Sequence, residues 1–354
     1  MLRRRLVSLL FASALCAGAA ACRSTSTSGA SSRDADGVGD PFLAARAAVR
    51  DAGSVPASPP DAAAAPAPLA TTKALVRLLD PGQPPRRKLR YAWHPGRTET
   101  LSIELRTTAA TEAEGEHPPD VALPSLRFLV SIVPREATAD GDLPYDWHVT
   151  STKVMPAPGA DPQLATGMRA EVTVIDHLAG KAAVAPTGLS KEVAIDPASL
   201  GDATDAGATG QMVEQIRQTL FDLMTPVPDE EVGSGARWEK ISRLASKSSV
   251  VTQTETFTLR AIAGDKGTVE DVLAQTAPPQ DWPMPGAARE PARLESMLAT
   301  GTAHARFDLG RIVPSSTFEG TTTMVVSGRG AGGGGDRRLT MILRVGITLS
   351  GSTP

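Results

Sequence analysis

A single stretch of helical periodicity, from Thr209 to Met224, interrupts a chain whose other apolar residues alternate as they do in β-strands. Pro226 and Pro228 cannot continue a helix, and they favour extended backbone at the residues before them. The sequence therefore predicts one central amphipathic helix around residues 209–224, set between two β-rich halves. The apolar residues of this stretch recur at the spacing of one buried stripe: Met212, Val213, Ile216, Leu220 and Leu223.

The two halves show the period-two alternation that predicts strands buried on one face. We expect a hairpin in which Leu89–Trp93 and Leu101–Leu105 pair across Pro95-Gly96, and a second hairpin across the turn Gly264-Asp265. The fold class predicted is mainly β (α+β), with antiparallel curved sheet or sheets. The other predicted strands are Leu126–Ile132, Trp147–Met155, Met168–Ile175, Trp238–Leu244, Leu294–Leu309 (beginning as a helical turn), Thr321–Val326 and the final run through Met341, Leu343, Val345, Ile347 and Leu349.

The N-terminal segment has the order of a secretory signal. Three arginines, Arg3–Arg5, precede an apolar run from Leu6 to Ala14, which is too short to span a bilayer. Small residues at 17–21 then lead to Cys22. Cys16 lies before the cleavage site and is lost with the signal segment, so Cys22 is the cysteine that remains after cleavage, and no disulfide is expected.

This arrangement resembles the lipobox of bacterial secreted lipoproteins, with Ala19 where leucine is usual. The resemblance implies that Cys22 is acylated with a diacylglyceryl group and fatty chains such as palmitate, and that it becomes the new N-terminus. The alternative is an ordinary signal peptide cleaved at Ala19–Ala21, which leaves Cys22 as a free thiol. Lipidation places the protein in the bacterial cell envelope, facing the periplasm, and Arg23 after the cysteine favours the outer membrane.

The composition changes sharply after Cys22. Residues 23–72 are rich in Ser, Ala, Gly and Pro, with few residues able to build a core, and this predicts a disordered tether. The expected organisation is a signal peptide at 1–21, the lipidated cysteine and tether at 22–72, a first β-rich half at 73–208, the helix at 209–225 and a second β-rich half at 226–354.

Charge and composition exclude some classes of function. The formal net charge is -3 and aromatic residues make up 4% of the chain, so we expect neither a basic nor an aromatic surface for nucleic acid. No common catalytic or metal-binding motif is found, so no catalytic residue, cofactor or metal is predicted. Gly328–Gly333 matches the glycine pattern of dinucleotide sites, but the sequence after it predicts a strand where that site needs a helix.

Four features have both a functional and a structural interpretation. Asp146 and His148 share a strand face and could touch a metal, but we favour an exposed, solvated pair. Asp176–His177 is a similar pair. Asp229–Glu231 reads as an acidic turn after Pro228. Trp238 is either a ligand platform or a core aromatic beside the Gly233–Gly235 hinge, and we favour the core.

A second resemblance rests on the Pro-x-Pro pair at 226–228, the glycines before Trp238 and the late run G-T-A-H-A-R-F-D-L at 301–309. This layout is similar to an uncharacterised family of bacterial envelope lipoproteins, classed as a domain of unknown function, over residues 85–350. The resemblance implies no catalytic residues.

Three functions remain open. The first is a non-enzymatic, membrane-anchored lipoprotein that holds an apolar ligand such as an acyl chain, with a cavity lined by alternating apolar residues. The second is a structural or interaction lipoprotein that docks an envelope protein partner, with a filled core and a flat exposed apolar patch. The third is a hydrolase with clustered, perturbed acids or histidines in a cleft.

Overall fold

Alternating side chains build one antiparallel sheet of 15 strands in the part of the chain that the structure describes. The structure is a computed structural model, and it describes residues 70–71, 74–113, 120–158, 162–200, 208–245, 250–282, 292–329 and 336–352. The strands are β1 Ala70–Thr71, β2 Leu75–Asp80, β3 Glu99–Ala113, β4 Val121–Ala122, β5 Ser125–Pro134, β6 Leu143–Met155, β7 Ala179–Val184, β8 Ser190–Ile195, β9 Arg237–Ala245, β10 Val250–Ala263, β11 Lys266–Ala277, β12 Gln280–Trp282, β13 Ala292–Asp308, β14 Ser315–Arg329 and β15 Asp336–Ser352.

The strand order joins both halves of the chain in this sheet. It runs β1-β9-β10-β11-β13-β14-β15-β3-β5-β6-β7-β8, with β2 on β9, β4 on β3 and β12 on β13. The second half thus contributes β9 to β15 as a meander, and β15 then pairs with β3 of the first half, from Leu339 opposite Ala113 to Ser352 opposite Thr100. The prediction of a mainly β, antiparallel fold is confirmed.

One face of this curved sheet carries the core. Along β15 the predicted residues Met341, Leu343, Val345, Ile347 and Leu349 are all buried. Matching alternation buries one face of β3, β5, β10, β11 and β14, and leaves the other face toward solvent. Such one-sided burial fixes the register of each strand, because a shift by one residue would turn its apolar set outward.

The predicted helix is present as α3, Ala208–Phe221, and all five residues of its apolar stripe are buried. It packs against β8 and against a second helix, α1, Pro162–Val172. The expectation of a single helix is therefore wrong. A 3₁₀ turn, Thr173–His177, follows α1, and a short helix α2 spans Pro197–Leu200.

The strand predicted at Met168–Ile175 is also wrong, because this segment forms the end of α1 and the 3₁₀ turn. Its β-branched residues favour a strand. However, the buried residues Ala165, Val172 and Ile175 follow helical spacing, and Pro162 stands at the first helical position, where proline is favoured. The helical spacing of the buried residues therefore agrees with the observed structure, whereas the strand propensity of the β-branched residues does not.

The predicted hairpin at Leu89–Leu105 is wrong in its pairing. Leu89, Tyr91 and Trp93 are buried as their alternation predicted, but this segment lies outside the strands, and the amide of Tyr91 donates to the carbonyl of Pro186 at 2.8 Å. The reason is that β3 already lies between β15 and β5, so neither of its edges is open to residues 89–93.

The other predicted strands are confirmed, although Leu294–Leu309 forms strand β13 from its start, without the expected helical turn. Gly264 makes the turn between β10 and β11 with a positive φ of 52°.

Within the described ranges, no helix has both the length and the apolar character needed to cross a membrane.

Candidate functional site

Polar side chains occupy inward positions on three neighbouring strands at one side of the sheet. On β9, β10 and β11 they stand in phase with core residues such as Trp238, Phe257 and Val269. Each of them is no more than 4% exposed. They are Lys240 and Ser242 on β9, Gln253 and Glu255 on β10, and Asp271 and Gln275 on β11.

Strand register and the end of α3 bring these side chains together. Lys240 lies directly opposite Glu255, with 3.4 Å between Nζ and Oε2. Asp222, just after α3, approaches the same Nζ to 4.0 Å through Oδ1 and accepts a hydrogen bond from the amide of Gln218. We call Asp222, Lys240, Glu255 and Asp271 the Lys240 cluster.

The Lys240 cluster holds three carboxyl groups and one lysine in the interior. A cavity of about 50 Å³ adjoins it, lined by Asp222, Glu255 and Asp271 together with apolar residues. That volume admits about three water molecules, so it can hydrate the carboxyl groups but cannot take an organic substrate or an acyl chain. The arrangement is a buried ion network that links Asp222, just after α3, to β9 and β10.

The described residues contain no group of three or more His, Cys, Asp and Glu side chains arranged to hold a metal ion. Asp146 is bound by Arg135, whose Nε donates to Oδ2 at 2.8 Å, and His148 is exposed. Asp229 is exposed and pairs with Arg90 at 2.7 Å. The structure thus places these acidic residues in surface ion pairs.

The outward face of β10–β15 has a different character, because it is uncharged over a wide area. One row across it runs Thr254, Ala274, Thr300 and Thr321, and the next runs Thr252, Thr276, Leu298 and Thr323. Val272 and Leu298 are 56% and 54% exposed. We call this surface the threonine face: Thr252, Thr254, Thr256, Val272, Ala274, Thr276, Leu298, Thr300, Thr302, Thr321, Thr323, Val325, Thr340 and Ile342.

Trp238 is fully buried, so its ring has no access to a ligand in solution. Its Nε1–H donates to the carbonyl of Pro226 at 2.8 Å, and its ring stacks on Phe257 at 5.7 Å between centroids. Trp238 therefore connects β9 to the segment that follows α3.

Two of the sites predicted from the sequence fall wholly or partly outside the described residues. Cys22 and the signal segment before it lie entirely outside them. Of the glycine run at 328–333, Gly328 and Arg329 end β14, and Asp336 already begins β15 opposite Arg329. The pyrophosphate mechanism requires a helix directly after the glycines, and the next described residues, from Asp336, form a strand.

Sequence reasoning missed the Lys240 cluster, although a signal for it exists. In β10 the apolar residues Phe257 and Leu259 share their parity with Gln253 and Glu255. Residues of equal parity in a strand face the same side. The same reasoning puts Asp271 beside Val269, so buried polar residues could have been predicted.

The chain's two tyrosines provide a pH readout of core packing. Tyr91 and Tyr145 donate to the carbonyls of Thr225 and Leu220 at 3.0 and 3.2 Å, and burial raises the pKa of both hydroxyls well above the ordinary value. Unfolded tyrosines lose their protons near pH 10, whereas the folded ones keep them, so the free energy of unfolding should fall as the pH rises above about 10.

We therefore expect the near-ultraviolet absorbance of tyrosinate to appear only as circular dichroism reports unfolding. A Tyr91→Phe variant leaves Tyr145 as the one tyrosine. Its tyrosinate absorbance should likewise appear at the pH at which circular dichroism reports unfolding. Absorbance that rises near pH 10 while the strand signal persists would contradict the buried placement of these rings.

No protein-family model and no curated protein matches this chain. Among solved structures, an outer membrane channel from Pseudomonas putida F1 is similar over 74% of this chain and 98% of that chain, with 8% identical residues and a TM-score of 0.19. That score is too low to show a shared fold, so nothing about this chain follows from it.

Proposed function

We propose that this chain is a non-enzymatic lipoprotein of the bacterial envelope that docks a protein partner through the threonine face. The order of charged, apolar and small residues before Cys22 supports the lipid anchor. The absence of charged side chains from the threonine face, at the centre of the outer surface of β10–β15, carries the docking proposal. Cores of protein interfaces are depleted of charged residues, whereas a sheet face that meets only water needs no such depletion.

The interior favours docking over an acyl-chain site. The apolar faces of the strands and the stripe of α3 are buried against each other in one core. The cavity beside the Lys240 cluster is small and lined by carboxyl groups, which would repel a fatty chain. This cavity, between β10, β11 and the segment after α3, therefore does not support an acyl ligand.

The partner proposed is another envelope protein with an uncharged, hydrogen-bonding surface. The threonine hydroxyls both donate and accept hydrogen bonds, and Val272 and Leu298 add exposed apolar area between them. A tether of about 50 residues would reach on the order of 40 Å as a flexible coil. That reach allows the sheet to meet a partner away from the membrane surface. We propose the outer membrane as the site of anchoring.

The anchor is tested with a Cys22→Ser variant. Serine cannot form the thioether to diacylglycerol, so the variant should move from the membrane fraction to the soluble periplasmic fraction. Mass spectrometry of the parent N-terminus should show the added acyl chains. If parent and variant fractionate alike and carry the same N-terminal mass, the anchor proposal is wrong.

Docking is tested by placing a photo-crosslinking residue at Thr300, in the centre of the threonine face, in cells. The expected result is a discrete adduct. Leu298→Arg and Val272→Arg should each reduce it at least about tenfold, because a charge would be buried in the interface without a partner. Both positions are exposed, so the folded state should tolerate the arginine.

Ala194→Arg is the matched control. It adds the same charge at an exposed position of β8, at the opposite end of the strand order, and should leave the adduct unchanged. The docking proposal fails if Thr300 gives no adduct, or if all three arginine variants behave alike. Stoichiometric fatty acid recovered from the purified Cys22→Ser protein would favour the acyl-ligand function instead.

A further inference from the structure

A cleft of about 370 Å³ opens on the solvent side of the sheet, beyond the border of the threonine face. Its floor is formed by neighbouring strands β3, β15 and β14, which contribute Arg106, Arg344 and Glu319. Its wall is apolar and consists of Leu123 with Pro156 and nearby residues of the chain after β6. The volume lies in the range of small-molecule sites, which combine apolar walls with a few polar groups. We call it the Arg106 cleft.

Strand register places both arginines on the floor of the Arg106 cleft. Arg106 lies opposite Gly346, and Arg344 lies opposite Thr108, so the arginines are diagonal neighbours on adjacent strands and face the same side. Both side chains are more than half exposed. Two guanidinium groups on the same face offer a carboxylate more charge-assisted donors than either group offers alone.

Gly346 leaves the floor open between Arg106 and Glu319. A side chain at position 346 would place its Cβ 3.1 Å from Oε1 of Glu319. Even with that space free, Nη2 of Arg106 and Oε1 of Glu319 remain 3.8 Å apart, which is longer than a hydrogen bond. Among the described residues, no hydrogen-bond partner therefore occupies the guanidinium of Arg106. Arg344 pairs with Asp120, and both side chains are about half exposed.

We propose that the Arg106 cleft binds a small molecule with a carboxylate next to an apolar group. The carboxylate lies between Arg106 and Arg344, since a guanidinium offers two parallel donors to two carboxylate oxygens. The apolar group packs against Leu123 and Pro156. Glu319 and Asp120 disfavour ligands of higher negative charge, such as phosphate. The proposal does not depend on the lipid anchor or on docking at the threonine face.

The test uses two matched probes, N-acetyl-leucine and N-acetyl-leucine amide, titrated into the full chain by calorimetry. They differ in the carboxylate alone, so the amide should bind at least about tenfold more weakly. Inorganic phosphate should not compete with N-acetyl-leucine. Equal binding of acid and amide, an absence of binding by the acid at millimolar concentration, or displacement by phosphate would each overturn the proposal.

Variants then assign the binding to this cleft. Arg106→Gln and Arg344→Gln should each weaken N-acetyl-leucine at least about tenfold by removing a charged donor. Arg260→Gln is the matched control, because Arg260 is an exposed arginine that pairs with Glu270 at 2.7 Å elsewhere on the sheet. It should bind as the parent does. If all three variants bind alike, the carboxylate site is not here.

Discussion

Replacing Lys240 with methionine should destabilise the protein by about 3–5 kcal/mol at neutral pH. Methionine has a similar volume, so packing changes little, but Glu255 and Asp222 lose the ammonium group that lies 3.4 and 4.0 Å from them. The Lys240 cluster then holds three buried carboxyl groups and no cation. Removing one partner of a buried ion pair is far more costly than replacing the whole pair.

Chemical denaturation followed by tryptophan fluorescence measures this loss. Because acid neutralises the uncompensated carboxyl groups, the difference in unfolding free energy between Lys240→Met and the parent should shrink as the pH falls. Adding Glu255→Gln to Lys240→Met should recover part of the stability at neutral pH.

Lys191→Met is the control for Lys240→Met. Lys191 is half exposed and pairs with Asp142 at 2.5 Å on the surface, where an ion pair is worth at most about 1 kcal/mol. If Lys240→Met and Lys191→Met unfold alike, the Lys240 cluster does not compensate charge as described.

Truncation of Trp238 to alanine should cost about 3–5 kcal/mol, as it does for other buried large aromatics. The variant loses the stack on Phe257 and leaves the carbonyl of Pro226 without the indole donor. The segment after α3 thereby loses its hydrogen bond to the indole of Trp238 on β9. Thermal and chemical unfolding measure the loss, and we expect both transitions to move downward together.

Trp238→Phe separates the ring from its hydrogen bond. It keeps aromatic packing and removes the N–H. We therefore expect it to lower the free energy of unfolding by about 1–3 kcal/mol, which is less than Trp238→Ala does. Trp282→Ala, at a half-buried position on β12, should cost less than Trp238→Ala. A Trp238→Ala variant that melts with the parent would contradict the core role.

Much of the fold could be predicted because period-two alternation reports one-sided burial. It located β15, with Met341 to Leu349 facing inward, while helical spacing located α3 through its apolar stripe. Alternation does not report which backbone a strand pairs with. Leu89–Trp93 shows this: its side chains enter the core, yet its amides donate to loop carbonyls because β3 has no open edge.

The candidate sites were harder to predict, since each depends on pairing between strands. Lys240 and Glu255 carry no sequence motif, and they meet because β9 and β10 pair in one register. The threonine face likewise exists only once five strands lie side by side. Thr254 and Thr300 are distant in sequence, and both pair with Ala274.

The position of β15 in the sheet constrains the order in which the strands can pair during folding. This strand is the last in sequence among the described strands, yet it lies between β14 and β3 in the sheet. The first half therefore keeps an unpaired edge on β3 for as long as β15 is missing. Pairings between distant segments form slowly, and open strand edges invite aggregation. A chain threaded across a membrane from its N-terminus would therefore join the two parts of its sheet only when β15 emerges.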